Sequence, residues 1–298
     1  MIGRDCRVRL EAAGFRRTID PMALINTPPT LDRPAALAVA EDIAREAGAL
    51  LMEGFGHGKR IERKSSALDW VTEYDKASEK LIAGRLRAAF PDHALVGEEG
   101  TNSGDRAGYC WYFDPLDGTT NYAHNFPVFC VSMALYHGDD AVLGVIYDPT
   151  RDECFTAIAG EGSWLASPRG RRRLRVSAET ELVSGLLATG FPYDVHTSPA
   201  NNLDYMPAFV LRAQGIRRAG SAALDVAYVA AGRLDGYWEL KIHSWDLAAA
   251  VLIALEAGGR VTFLDGGAFV LRPRFDVVVS NGHLHEKMLA VAREAEGR

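Results

Sequence analysis

The chain has 298 residues, 48% hydrophobic and 24% charged, and its 33 Lys and Arg against 39 Asp and Glu give a formal net charge of -6. That length buries a large core, as one large domain or two modest ones, and the acidic balance argues against a nucleic-acid surface, which carries a basic excess. An anionic small substrate stays compatible with it if bound metal supplies positive charge locally, whereas no apolar run approaches the ~20 residues that cross a bilayer.

Residues 1–31 mix Arg4, Arg7, Arg9, Arg16 and Arg17 with Asp5, Glu11 and Asp20. Transit peptides are poor in acids, so the segment reads as a loosely ordered extension or a start-site artefact. The four cysteines, Cys6, Cys110, Cys130 and Cys154, lack Cys-x-x-Cys spacing, and with no signal peptide in view a reducing cytoplasm is expected. From Asp32, an N-cap with Pro34 behind it, Leu37, Ala40, Ile43, Ala44, Ala47 and Leu51 recur at helical spacing until Gly54 and Gly56. A second helix is expected over 72–90. With Thr72 as N-cap, Asp75 falls at N3, where it completes a capping box or points off the helix start toward a metal.

A short apolar segment, 94–96, precedes Gly97-Glu98-Glu99. Adjacent acids at a strand end repel unless a cation relieves them; the plain alternative is an exposed acidic loop, preferred here for Glu99. Residues 109–113 read as a buried strand, followed by Asp114-Pro115-Leu116-Asp117-Gly118-Thr119-Thr120-Asn121. Pro115 fixes its own φ and holds Asp114 extended as it leaves the strand, so Asp114 and Asp117 can converge. Two close carboxylates call for a cation, and oxygen-only ligands suit Mg2+. Gly118, the following N–H groups and the threonine hydroxyls could hold a phosphate. An Asp-Pro/Asp-Gly surface turn is the competing interpretation.

Strands are expected at 128–136 and 141–147, joined by a Gly138-Asp139-Asp140 turn, and at 153–157 and 162–165. Arg169, Arg171, Arg172, Arg173 and Arg175 then read as a solvated hairpin tip. The pattern turns α/β beyond: a helix over 221–232, a strand at 237–240, a helix over 244–257, and strands at 261–264 and 277–280. Gly220-Ser221-Ala222 opens a helix with free N–H groups, fit for an anion, a sugar hydroxyl or close packing. Asp246 complements its helix dipole or offers a metal ligand on a rigid base. Glu239 reads by itself as half of a surface salt bridge, and His243 as a packed core residue. The division is an α+β lobe at 32–170 and an α/β lobe at 171–298.

The order and spacing of 64–75, Gly97-Glu98-Glu99, 114–121 and Ser244-Trp245-Asp246 resemble the inositol monophosphatase family. Phe126-Pro127-Val128-Phe129, Gly190-Phe191-Pro192 and 220–235 are similar too, so the resemblance covers residue 34 onward. It implies an α-β-α-β-α five-layer sandwich, a homodimer, two or three Mg2+ per site and hydrolysis of a small phosphorylated polyol or sugar. By motif, Glu98, Asp114 and the Leu116 carbonyl would bind one ion. Asp114, Asp117 and Asp246 would bind a second, with Glu98 and Asp75 at a third or its waters. Thr119, with Asp75 behind it, would orient and help deprotonate the attacking water. Gly118 and Thr119 donors would hold the phosphate, while Gly220, Ala222 and Glu239 would meet substrate hydroxyls. Myo-inositol monophosphate is the expected ester. Histidinol phosphate, fructose 1,6-bisphosphate and 3′-phosphoadenosine 5′-phosphate are the alternatives, and a catalytically silent binding protein is the alternative of another class. Leu116 replaces a more usual isoleucine, and Ala249, Ala250 and Val251 stand where relatives usually have a glycine, which questions how closely that helix packs.

Overall fold

The structure, a computed structural model, describes residues 31–297. Nearly all of the extension expected at 1–31 lies outside them. Asp32 caps α1 (Arg33–Gly54) by accepting the Ala35 N–H at 3.0 Å, with Pro in the first turn. A hairpin of β1 (Ile61–Arg63) and β2 (Trp70–Thr72) leads into α2 (Glu73–Ala89) through the expected Thr72/Asp75 capping box.

The next segment builds a sheet from β3 (Ala94–Gly97), β4 (Asn102–Ser103) and β5 (Tyr109–Asp117), then, after the short helix α3 (Thr119–Ala123), from β6 (Cys130–His137), β7 (Asp140–Asp148), β8 (Glu153–Ile158), β9 (Gly162–Ser167) and β10 (Gly170–Arg173). The order is β10-β9-β8-β7-β6-β5-β3-β4, and only the β3–β5 pair is parallel. The arginine cluster lies on the exposed β9–β10 hairpin, as expected, with Arg171 stacked 4.6 Å over Trp164. A second sheet comes from β11 (Leu186–Thr189), then, after α4 (Tyr205–Val210), from β12 (Gly215–Arg217). After α5 (Ala222–Ala230) it gains β13 (Gly236–His243), and after α6 (Ser244–Glu256) it gains β14 (Arg260–Phe263) and β15 (Arg274–Ser280), before α7 (His285–Glu296) closes the fold. Its order is β12-β11-β13-β15-β14.

These elements stack in five layers. α1 and α2 cover one face of the large sheet, α5 and α6 fill the space between the sheets, and α4 and α7 cover the outer face of the small one. The sequence pattern explains the placement. β6 and β7 are buried along almost their whole length because helices cover both faces, so they read as continuous apolar runs. α6 is buried without a break from Leu247 to Ala254, as a helix in a central layer must be. Its alanines do not loosen the packing: Gly144 on β7 opens the gap, and a Cβ there would meet the Ala249 carbonyl at 3.0 Å.

One boundary differs from expectation in a way that matters for the site. β5 does not end at Phe113 but continues to Asp117 through a bulge, for Asp114 pairs with Ser132 and Asp117 with Cys130. Three steps on one strand oppose two on the other, and Pro115, which has no N–H to give, sits in the irregular stretch. An unbroken strand would turn residues i and i+3 to opposite faces. The extra residue brings both carboxylates to the cavity side.

Candidate active site

A cavity of about 640 Å³ opens where β3 and β5 meet the starts of α3, α5 and α6. Glu98 enters it directly after β3, Asp114 from β5, and Asp246 from the third position of α6, where its Oδ2 also accepts the His243 N–H at 2.9 Å. Each of these three offers one oxygen within 4.8 Å of the others. Asp246 therefore serves the helix start and the cluster together.

Asp117 and Asp75 lie beside this trio rather than in it. Asp117 is drawn toward the start of α5, where Oδ2 accepts Ser221 Oγ at 2.6 Å and the Ala223 N–H at 2.8 Å, and Oδ1 receives a long contact from Ala222 at 3.3 Å. That position joins a carboxylate to a helix dipole. Asp75 accepts both the N–H and the hydroxyl of Thr72 through Oδ2, and its Oδ1 accepts Thr119 Oγ1 at 2.8 Å. Of the two readings of Asp75 the capping box forms, and its other oxygen is taken by the Thr119 hydroxyl. Thr119 Oγ1 is 3.1 Å from the Leu116 carbonyl as well. Gly118 precedes it with φ 102°, a left-handed backbone that turns β5 into α3.

Burial pushes the Asp114 carboxyl well above the usual range, and Glu98, Asp117 and Asp246 push it further; Asp246 rises for the same reasons. Burial raises Asp117 to about 6 against the donors of Ser221, Ala223 and Ala222, and raises Asp75 to about 6 against its threonine donors. Desolvated carboxylates that raise one another lack a counter-charge. The ligand atoms of the trio are all carboxylate oxygens, the set a hard divalent cation takes and zinc does not favour, so these residues fit Mg2+. Lys64 supplies part of the missing charge: its Nζ is 2.6 Å from both Glu98 Oε1 and Glu99 Oε1. Glu99 is thus not an exposed acidic loop residue; its side chain is 6% exposed and ion-paired.

The far wall comes from the second sheet and α5. Gly220 and Ala222 flank the Ser221 N-cap there. Glu239 is buried and accepts the Tyr237 hydroxyl, and burial raises it to about 7. The surface salt bridge with Lys241 does not form, because Lys241 Nζ turns to Asp194 Oδ2 at 2.7 Å. Gly190 lies so close that a Cβ would come within 2.2 Å of the Glu239 carboxylate. His243 is half-buried in the cavity wall, its ring stacked 4.7 Å from Trp245, rather than packed in the core.

Two contributors, Arg218 and Glu79, escaped the sequence reading, and Ser221 was read only as a helix start. Ser221 donates to Asp117, and Arg218 lines the cavity. Glu79 accepts the Glu99 and Thr101 N–H groups at 2.6 and 2.7 Å and so pins the loop that carries Glu98. The available signal was the α2 face itself: Asp75, Ser78 and Glu79 continue the buried stripe of Ile82 and Leu86 at helical spacing.

The layers and the converging carboxylates together define an α/β protein with a pocket for a hard cation. The sequence model of the inositol monophosphatase family matches residues 33–296. An inositol-1-monophosphatase from Synechocystis sp. is 40% identical over 253 residues, 85% of this chain and 86% of that protein. Nus factor SuhB of Pseudomonas aeruginosa is 44% identical over 238 residues, 77% of this chain and 86% of that protein. The crystal structure of extragenic suppressor protein suhB from Bartonella henselae has a TM-score of 0.80 at 38% identity, covering 87% of this chain and 99% of that one. The chain belongs to the inositol monophosphatase family of phosphatases. Among its described residues no helix is long and apolar enough to cross a membrane.

Proposed function

We propose that the chain hydrolyses a small phosphate monoester, myo-inositol monophosphate first among candidates, with Mg2+ as cofactor. The observation that carries this reading is the convergence of Glu98, Asp114 and Asp246, each offering one oxygen within 4.8 Å of the others. Glu98, Asp114 and the Leu116 carbonyl would hold one ion, Asp114, Asp117 and Asp246 a second, and Glu98 with Asp75 a third. Bound Mg2+ neutralises the ester and makes water more acidic.

The chain's own groups do the positioning. Thr119 Oγ1 donates to Asp75 Oδ1, which leaves its lone pairs directed by that bond. A water placed there gives its proton to the Thr119–Asp75 pair as its oxygen turns to the phosphorus. Gly118 and Thr119 backbone N–H groups, at a helix start, hold the phosphate. Gly220, Ala222 and Glu239 receive the hydroxyls of the alcohol. Dry, prearranged dipoles of this kind lower the barrier more than they would in water.

Phosphate release with and without Mg2+ from inositol 1-phosphate, histidinol phosphate, fructose 1,6-bisphosphate and 3′-phosphoadenosine 5′-phosphate tests the reading. Metal-dependent preference for the inositol ester supports it, preference for another ester changes the substrate, and no turnover by folded, metal-loaded protein contradicts it. A second reading, a binding or regulatory role, draws on the 44% identity to a protein named Nus factor SuhB. A catalytically silent version should have lost an acid or the hydroxyl, yet Asp75, Glu98, Asp114, Asp117, Thr119 and Asp246 are all present. Among the described residues Cys110, Cys130 and Cys154 are buried free thiols, which suits a reducing cytoplasm, and the protein acts as a homodimer, which light scattering checks.

A further inference from the structure

Asp225 lies on the first turn of α5, three residues past Ala222 and on the same side of the helix. It lines the cavity, is 2% exposed, and its Oδ1 has no hydrogen-bond partner among the described residues. A carboxyl oxygen kept dry and unpartnered is costly, and sites keep such groups for a ligand or a missing water. The ordinary duty of an acid at a helix start is already discharged by others. Asp117 takes the Ala222 and Ala223 N–H groups, and Ser221 Oγ takes that of Leu224. Glu239, the other carboxyl of this wall, differs in having the Tyr237 hydroxyl as donor. Asp225 Oδ1 thus keeps acceptor capacity that none of the described residues uses.

We infer that Asp225 is a specificity-determining residue that accepts a hydrogen bond from a hydroxyl of the substrate's alcohol half, next to the hydroxyl met by Glu239. The inference deepens the phosphatase reading and rests on it. Two carboxylates on one wall then select polyol or cyclitol esters carrying two free hydroxyls over esters of simple alcohols. A phenyl ester, with no further hydroxyl, leaves Asp225 dry and unpartnered in the complex, the situation that polar sites penalise.

The test compares inositol 1-phosphate with phenyl phosphate in the wild type, Asp225→Asn and Asp225→Ala, each with Mg2+ and each with its melting temperature recorded. The ratio of kcat/KM for the cyclitol ester over the phenyl ester is expected to fall by about tenfold or more in Asp225→Ala, chiefly through KM. Asp225→Asn, which keeps one acceptor and the side-chain shape, recovers part of the ratio and carries the comparison if the alanine variant unfolds. An unchanged ratio in the folded variants overturns the inference. Wild-type protein that cleaves both esters without preferring the cyclitol overturns it too, yet leaves the phosphatase reading standing. Wild-type protein that cleaves neither overturns both.

Discussion

Thr119 Oγ1 donates to Asp75 Oδ1 at 2.8 Å, and this bond ties the start of α3 to the start of α2. The other oxygen of Asp75 is committed to Thr72. One carboxylate thus holds both a helix cap and the hydroxyl that faces the cluster. Thr119→Ala is expected to lower kcat by about 100-fold or more with little loss of stability, whereas Thr119→Ser retains most of the rate. Asp75→Asn should lower kcat comparably and also cost about 1 kcal/mol, because an amide cannot accept from both threonines. Kinetics and urea melts on the three variants check this split.

Asp117 has donors on both oxygens, so Asp117→Asn must turn its amide N–H toward one of them. The weaker contact, Ala222 at 3.3 Å, is the one an asparagine sacrifices with least loss. Turnover is expected to vanish while the melting temperature stays within a few degrees of wild type. Retained activity would argue against Asp117 as a ligand.

Glu79 is not a cavity-lining residue but holds the loop of Glu98 through two charge-assisted bonds. Glu79→Ala leaves two N–H groups without their acceptor and is expected to cost about 2–4 kcal/mol. The Mg2+ concentration for half-maximal activity should rise with it. A metal titration of activity separates that effect from simple unfolding.

These last two relationships mark what could be read in advance. The acidic motifs were legible because β3, β5 and α6 each deliver an acid directly at an element end, where spacing and end signals coincide. The large sheet was legible from its long apolar runs. β11, β12 and α4 went unread since they span only 4, 3 and 6 residues, too short for any period to show. The β5 bulge was hidden because a proline after an acid suggests a strand end, and only pairing with β6 reveals the continuation. Glu239 was misjudged for a different reason: its burial depends on Tyr237 and on Gly190 from another strand's end, which no local pattern encodes.

Gly190→Ala should raise KM strongly while leaving Mg2+ affinity near wild type. The added Cβ, within 2.2 Å of the Glu239 carboxylate, must displace that carboxylate and leaves the metal wall alone. Equal loss of metal affinity would contradict the division of the cavity into a metal wall and an alcohol wall.

Folding raises Asp75 and Asp117 from 3.8 to about 6 and Glu239 from 4.5 to about 7 in the metal-free protein. The folded state therefore holds protons that the unfolded chain has released, so this contribution is complete below the unfolded values and is lost as pH climbs through the folded ones. The metal-free melting temperature is expected to fall between about pH 4 and pH 7, and Mg2+ should restore more of it at the higher pH. Scanning calorimetry with EDTA and with Mg2+ at both pH values checks the sign.

The most direct measurement is phosphate release from inositol 1-phosphate by EDTA-treated protein, before and after Mg2+ is added back, with Asp117→Asn in parallel. No release is expected with EDTA, release that saturates with Mg2+ in the wild type, and none at any Mg2+ in the variant. Release that ignores EDTA, or a variant as active as the wild type, would contradict the metal-dependent phosphatase reading.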